Sequence, residues 1–204
     1  MPSLFSLDVP LILASQSPRR RELLEQIGVS FTVQVSPARE TTEEELPPKD
    51  RARAYAAIKA KPVAEAHPSS LVLAADTIVV HGDTVLEKPG SSYEARQMLH
   101  TLSDTTHSVY TALCLHHASS DRVHTVGSET RVEFAALDDA EIEAYVDSGS
   151  PMDKAGGYGI QDHTGPLLVD QLEGDYYTVV GLPLRLLYVT LRRHFSDLVS
   201  GPGV

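Results

Sequence analysis

A single cysteine, Cys114, stands in the 204 residues, so no disulfide can close within the chain. It lies in the apolar run Thr-Ala-Leu-Cys-Leu and reads as a small buried hydrophobe in a protein of a reducing compartment. Long apolar runs are missing too. No stretch approaches the ~18–20 residues that a bilayer span requires. The short apolar segment Val9–Ala14 has no basic region before it, which a secretory signal would need. Basic charge is scarce: 17 Lys and Arg against 28 Asp and Glu leave a net charge of −11. A general nucleic-acid binder gains most of its affinity by neutralising phosphates, so this balance excludes that class while leaving room for a local basic pocket. Internal repeats are absent. The nine histidines show no zinc-ligand spacing with a third partner. A cytoplasmic protein without membrane or nucleic-acid partners is expected.

What is present is the composition of an ordinary globular domain, 42% apolar and 22% charged. A chain of this length buries ~70% of its unfolded surface and needs no staples. One domain is expected over residues 1–199, with a fraying tail over 200–204 and an exposed acidic loop over Thr41–Lys49. Strands and helices alternate. Strands are expected at Pro10–Ala14, Phe31–Val35, Leu71–Val80, Thr84–Glu87, Ser108–Ala118, Arg122–Ala135, Leu167–Leu172 and Tyr176–Val180. Helices are expected at Ser17–Gly28, Lys49–Lys61 (ended or kinked by Pro62), Ser92–Leu102, Asp138–Asp147 and Leu184–His194. The pattern is mixed α/β, with an αβ opening and an antiparallel middle.

Four segments depart from what folding alone would ask. Ser15-Gln16-Ser17-Pro18-Arg19-Arg20-Arg21 sets three arginines at a helix start, where the macrodipole is already positive. They make sense if an anion docks there on backbone N–H groups, serine hydroxyls and guanidinium forks. Asp76 interrupts the core strand Leu-Val-Leu-Ala-Ala-Asp-Thr-Ile-Val-Val. A buried carboxylate is costly unless paired or coordinated, so Asp76 is a candidate general base or metal ligand. Lys88, just past the hairpin after Asp76, could return its ammonium beside it. Finally, Asp153-Lys154-Ala155-Gly156-Gly157-Tyr158-Gly159-Ile160-Gln161 has three glycines in four residues, which permit close backbone approach to a ligand.

Together these segments resemble the Maf family of nucleoside triphosphate pyrophosphatases. The likeness rests on Ala14-Ser15-Gln16-Ser17-Pro18-Arg19-Arg20, Lys59-Ala60, Ala75-Asp76-Thr77-Ile78-Val79, Glu87-Lys88-Pro89 and His107-Ser108-Val109. It continues through Pro151–Gly156, Tyr158–Gln161 and Val180-Gly181-Leu182-Pro183. The resemblance implies an α/β fold with a mixed sheet in two lobes around a central cleft, like the inosine triphosphate pyrophosphatase-like fold. It implies cleavage of a nucleoside triphosphate between its α and β phosphates, a divalent cation (Mg2+ or Mn2+), a homodimer, and a house-cleaning role with a link to cell-division arrest. A non-catalytic, nucleotide-sensing regulator of septum formation is the alternative.

The resemblance further assigns Asp76, Lys88 and Lys59 to catalysis. It assigns Ser15, Ser17, Arg19, Arg20, Thr77 and Gln161 to substrate, and Glu40 with Asp76 to the metal. Arg at 19, Thr at 77 and Gln at 161 match the family's thymidine and uridine nucleotide subgroup. A glutamine amide offers both a donor and an acceptor to a pyrimidine imide edge, where a carboxylate offers only acceptors. Three departures stand out. Arg39 precedes Glu40 where relatives often have a second acid, Asp104 replaces a usual glycine, and Thr178 stands where Asn is common.

Overall fold

The computed structural model describes residues 4–41 and 46–201. Residues 42–45 of the expected acidic loop and 202–204 of the expected fraying tail lie outside the described residues. In chain order the elements are β1 (Ser6–Leu7), β2 (Leu11–Leu13), α1 (Pro18–Gln26), β3 (Thr32–Val33), α2 (Pro48–Ala66), β4 (Leu71–His81) and β5 (Thr84–Leu86). They continue with α3 (Ser92–Leu102), β6 (Thr106–His117), β7 (Arg122–Phe134), α4 (Asp139–Asp147), β8 (Val169–Glu173), α5 (Tyr176–Val180), α6 (Leu184–His194) and β9 (Val199–Ser200). A seven-stranded sheet runs β3-β2-β4-β6-β7-β8, with β5 paired to β4. The opening is parallel, Ile12↔Thr32 and Ile12↔Val72; the β4–β5 and β7–β8 pairs are antiparallel. The mixed sheet is the one the alternating pattern implied.

The chain forms two compact units. The first comprises 1–76, 112–127 and 181–204; the second comprises 77–111 and 128–180. In the first, β2 is buried throughout, and Leu71, Val72 and Leu73 of β4 are sealed beside it. Helix α2 buries Ala52, Ala56, Ala60 and Ala64 at every fourth position, a narrow stripe that lets its backbone sit close to its neighbours. Pro62 lies inside this helix, which continues to Ala66. Of the two outcomes expected at Pro62, an end of the helix is not seen: proline removes one hydrogen bond, and burial of Val63 and Ala64 just beyond it favours continuing the helix. The first residue of the expected fraying tail is also in regular structure. Ser200 pairs with Ser6 in the β1–β9 ribbon, and its hydroxyl donates to the Asp8 carboxylate at 2.7 Å.

The second unit has its own core. Phe134, Tyr158 and His107 meet edge to face at 4.7–5.4 Å between centroids, and Leu99, Leu102, Val132 and Ile142 pack into the same cluster. Ser91 caps α3, and Asp138 with Glu141 forms a reciprocal capping box on α4.

Two expected strands differ. Leu167 and Leu168 belong to a 3-10 turn over Gly165–Leu168, so the strand expected from Leu167 begins at Val169. Tyr176–Val180, a β-branched and aromatic run, is the short helix α5. The cause is Asp175, whose side chain accepts from the Tyr177 N–H at 3.2 Å and from the Thr178 hydroxyl at 3.1 Å, starting a helical turn. Strand β3 is only two residues long, both exposed.

Asp104 explains one departure in the sequence. Its φ is +56°, the left-handed region that favours glycine and that aspartate tolerates better than most residues. Asp104→Ala should therefore lower stability by about 1 kcal/mol while Asp104→Gly does not. Denaturant midpoints of the three proteins test this; equal losses in both variants would show that the backbone angle is not what matters at this position.

Candidate active site

The first unit assembles most of the expected residues. Strand β2 hands its chain to Ser15, and the Ala14 N–H still bonds the Leu73 carbonyl at 2.8 Å, so Ser15 begins where β2 ends. Ser17 then caps α1: its hydroxyl accepts from the Arg20 N–H, and Pro18 fills the first helical position. No acidic residue stands in that first turn. The Arg20 side chain folds back over this loop. Its Nε donates to the Gly181 carbonyl at 2.8 Å and its Nη1 to Ser15 Oγ at 3.1 Å. Ser15 is buried and also accepts from the Ser17 N–H at 3.2 Å. Two of the five guanidinium N–H groups thus fix the plane of Arg20 before any ligand arrives. Arg19, next to it, is half-buried.

Asp76 is the charged centre. Its side chain is 11% exposed, and Lys59 Nζ donates to Oδ1 at 2.6 Å. The same ammonium reaches Glu40 Oε1 at 3.1 Å, and Glu40 itself is exposed. Lys59 adjoins the small-residue stripe of α2, which sets it at the buried side of that helix. Burial pushes the Asp76 carboxyl above the usual aspartate value; Lys59 and Arg20 pull it back, and Glu40 adds to the rise. For Arg20, burial lowers its pKa from the ordinary arginine value and Asp76 opposes the shift. Four of the residues expected from sequence (Ser15, Arg20, Lys59 and Asp76) are therefore tied by direct bonds or mutual electrostatics, with Glu40 at the rim.

The remaining expected residues belong to the second unit. Thr77 follows Asp76 and is half-buried; its Oγ1 lies 2.8 Å from Thr111 Oγ1. The β4–β5 hairpin pairs Val79 with Leu86, so beyond β5 the chain runs back along β4 toward Thr77 and leads to exposed Lys88. Gln161 sits in the turn after the glycines.

Sequence reading missed what holds that turn. Lys154 is buried and donates to the Ser150 carbonyl at 2.6 Å and to Asp153 at 2.7 Å, and it pairs with Asp162 at 3.2 Å. Asp162 also receives the Tyr145 and Ser150 hydroxyls, and the Tyr145 oxygen accepts the Gly159 N–H at 2.9 Å. The signal available in sequence was Lys154 inside a glycine motif.

The glycines there are required by space. A Cβ on Gly165 would stand 1.8 Å from the Gly159 carbonyl oxygen, and Gly156, at φ +72°, would press one against Val79. A cavity of about 570 Å³ opens between α4 and residues 162–168. None of the expected site residues lines it. Its polar groups Tyr145, Ser150 and Asp162 already satisfy one another.

The fold defines the class. The Ham1 protein of Staphylococcus aureus aligns over 90% of this chain and 98% of its own, with a TM-score of 0.53 and 12% identity; the two share an α/β fold, the inosine triphosphate pyrophosphatase-like one. The profile described as "Maf-like protein" matches residues 10–194, and the chain belongs to the Maf family. A protein of Salinibacter ruber named dTTP/UTP pyrophosphatase is 57% identical over 200 residues, 98% of either chain. One of the same name from Halalkalibacterium halodurans is 50% identical over 185 residues, covering 91% of this chain and 96% of its own.

The electrostatics predict a titration. Because Lys59 lowers the Asp76 pKa against the pull of burial, Lys59→Ala should raise that pKa further, and a carboxyl-carbon NMR titration of Asp76 would read it. A pKa unchanged or lowered in the variant would mean that the ion pair is not what opposes the effect of burial on Asp76.

Proposed function

We propose that this chain hydrolyses dTTP and UTP to the nucleoside monophosphate and pyrophosphate. The observation that carries the proposal is Asp76: a lone carboxylate in an apolar strand, with its pKa raised by burial and its charge held by Lys59. A group of this kind suits general-base work, since burial makes it hold a proton better than an exposed acid while Lys59 and Arg20 favour its ionised form. The near full-length kinship to relatives named for this activity supports the same reading. A regulator that only sensed nucleotides would keep the basic pocket and have no use for Asp76.

In the proposed reaction the triphosphate rests its phosphates over the start of α1. Asp76 takes a proton from the attacking water as the water oxygen bonds the α-phosphorus. The bond from that phosphorus to the bridging oxygen breaks, and pyrophosphate leaves with the electron pair. Arg20, Lys59 and Lys88 offset the negative charge that grows on the leaving oxygens. Ser15 and Ser17 line the phosphate loop. Arg19, Thr77 and Gln161 read the imide edge of the base.

The residues present fit a divalent cation. Among the described residues no cluster of three or more His, Cys, Asp or Glu could hold a metal, but Asp76 and Glu40 both pair with the Lys59 ammonium, at 2.6 and 3.1 Å. Two carboxylates with the remaining positions left to phosphate oxygens and water is how Mg2+ is commonly bound. Bound there, Mg2+ or Mn2+ would neutralise phosphate charge and acidify water. Chelation with EDTA should abolish turnover and added Mg2+ restore it; full activity in EDTA would remove the metal from the proposal.

Asp76→Asn keeps the shape and loses the proton acceptor. Turnover of UTP should fall by about 10²–10⁴, with UTP binding by calorimetry retained. In the wild type, activity should be lost as pH falls through the raised Asp76 pKa, above the usual aspartate value, because only the ionised form can accept the proton. An Asn variant within about tenfold of wild type would exclude Asp76 as the base.

Base choice is tested by a panel of triphosphates. dTTP and UTP should exceed CTP, ATP and GTP by at least roughly tenfold in kcat/KM, and Gln161→Glu should erode that margin. Equal cleavage of CTP and UTP by the wild type would overturn the roles given to Arg19, Thr77 and Gln161.

A further inference from the structure

A line of hydrogen bonds in the second unit assigns a polarity to Thr77. A carbonyl oxygen can only accept, so the 2.7 Å bond from Thr111 Oγ1 to the Thr178 carbonyl uses the single proton of the Thr111 hydroxyl. The 2.8 Å bond between Thr77 Oγ1 and Thr111 Oγ1 must then be donated by Thr77. Thr111 is fully buried, which leaves its hydroxyl no solvent to turn to. The carbonyl at the end of the line is itself anchored. The Thr178 N–H bonds the Asp175 carbonyl at 3.1 Å and its hydroxyl bonds the Asp175 side chain. Asp175 in turn exchanges two 2.9 Å bonds with Thr130 Oγ1 on β7. The direction of the relay is therefore set from the sheet outward. The Thr77 proton is committed, and whatever else meets its oxygen meets lone pairs.

We infer that Thr111 is a positioning residue for base selection: it makes Thr77 an acceptor toward the pyrimidine. The inference rests on the proposed reading in which Thr77 faces the base. Uracil and thymine carry an N–H between their two carbonyls, and that N–H suits an acceptor. Cytosine carries a lone pair at the same ring position, so an acceptor-only hydroxyl repels it. A threonine whose proton could swing around would tolerate both. The selectivity of Thr77 thus comes from a residue that need not touch the substrate.

The test compares kcat/KM for UTP and CTP in the wild type, Thr77→Val, Thr111→Val and Thr111→Ser. Valine at 111 preserves shape and removes the acceptor, which releases the Thr77 proton to donate. The UTP:CTP ratio should fall about tenfold in Thr111→Val, with kcat on UTP within about threefold of wild type, and Thr111→Ser should restore the ratio. Loss of cleavage of both nucleotides in equal proportion, a ratio within twofold of wild type in Thr111→Val, or the same loss of selectivity in Thr111→Ser would each overturn the inference. A wild type without UTP preference, or one whose preference survives Thr77→Val, would instead overturn the reading beneath it. If Thr111→Val does not fold, Thr111→Ala puts the same question, since it also removes the hydroxyl that accepts from Thr77. A UTP:CTP ratio about tenfold below wild type supports the inference, and a ratio within about twofold overturns it.

Discussion

Burying the Asp76 carboxylate in β4 costs free energy that the first unit is arranged to offset. An isolated ionised acid in an apolar strand would simply take up a proton. Lys59, Arg20 and the geometry that holds them oppose that uptake by favouring the ionised form. The alanine stripe of α2 sets Lys59 at the buried side of its helix, and the Ser15–Ser17 loop together with the Gly181 carbonyl pins Arg20. Each of these features would be puzzling alone. Three arginines at the positive end of a helix weaken that helix, and an ammonium beside a core stripe must find a partner. Asp76 accounts for two of these cations, Arg20 and Lys59, which both favour its charged form.

The second unit solves a similar problem with a different purpose. Asp162 is half-buried and is held by Lys154, Tyr145 and Ser150. Here the acid is saturated by its partners, and the result is a rigid turn. Gly165 and Gly156 have no room for a side chain, and Gln161 is presented from the loop between them. Asp76 keeps a raised pKa and an electrostatic role; Asp162 is spent on structure. The difference lies in how many donors each carboxylate receives.

The hydroxyl relay shows a further economy. Thr178 is one of the chain's departures from its relatives' pattern, and the contact that matters in the relay is its backbone carbonyl. A substitution that leaves the turn intact leaves that carbonyl in place. The short helix α5 that aims it exists because Asp175 caps it, and Asp175 is in turn fastened to Thr130 of the neighbouring strand.

Much of the local structure could be read from residue order alone. The helices α1, α3 and α4, the buried β4 and the paired strands β6 and β7 depend on neighbours within a few positions, and those forces act on the sequence directly. The basic helix start and the lone Asp76 were legible for the same reason, since each contradicts its own local environment. Other features needed the folded chain. Pro62 stays in a helix because burial outweighs one lost hydrogen bond. Tyr176–Val180 is helical because of a cap, against its propensity. The pairing of Lys59 with both Asp76 and Glu40, the Lys154–Asp162 clamp and the donor order through Thr111 join residues far apart in sequence. Sequence could nominate those residues as charged or polar, but only their tertiary placement decided which proton each one holds, because a hydrogen bond's direction is set by both of its partners.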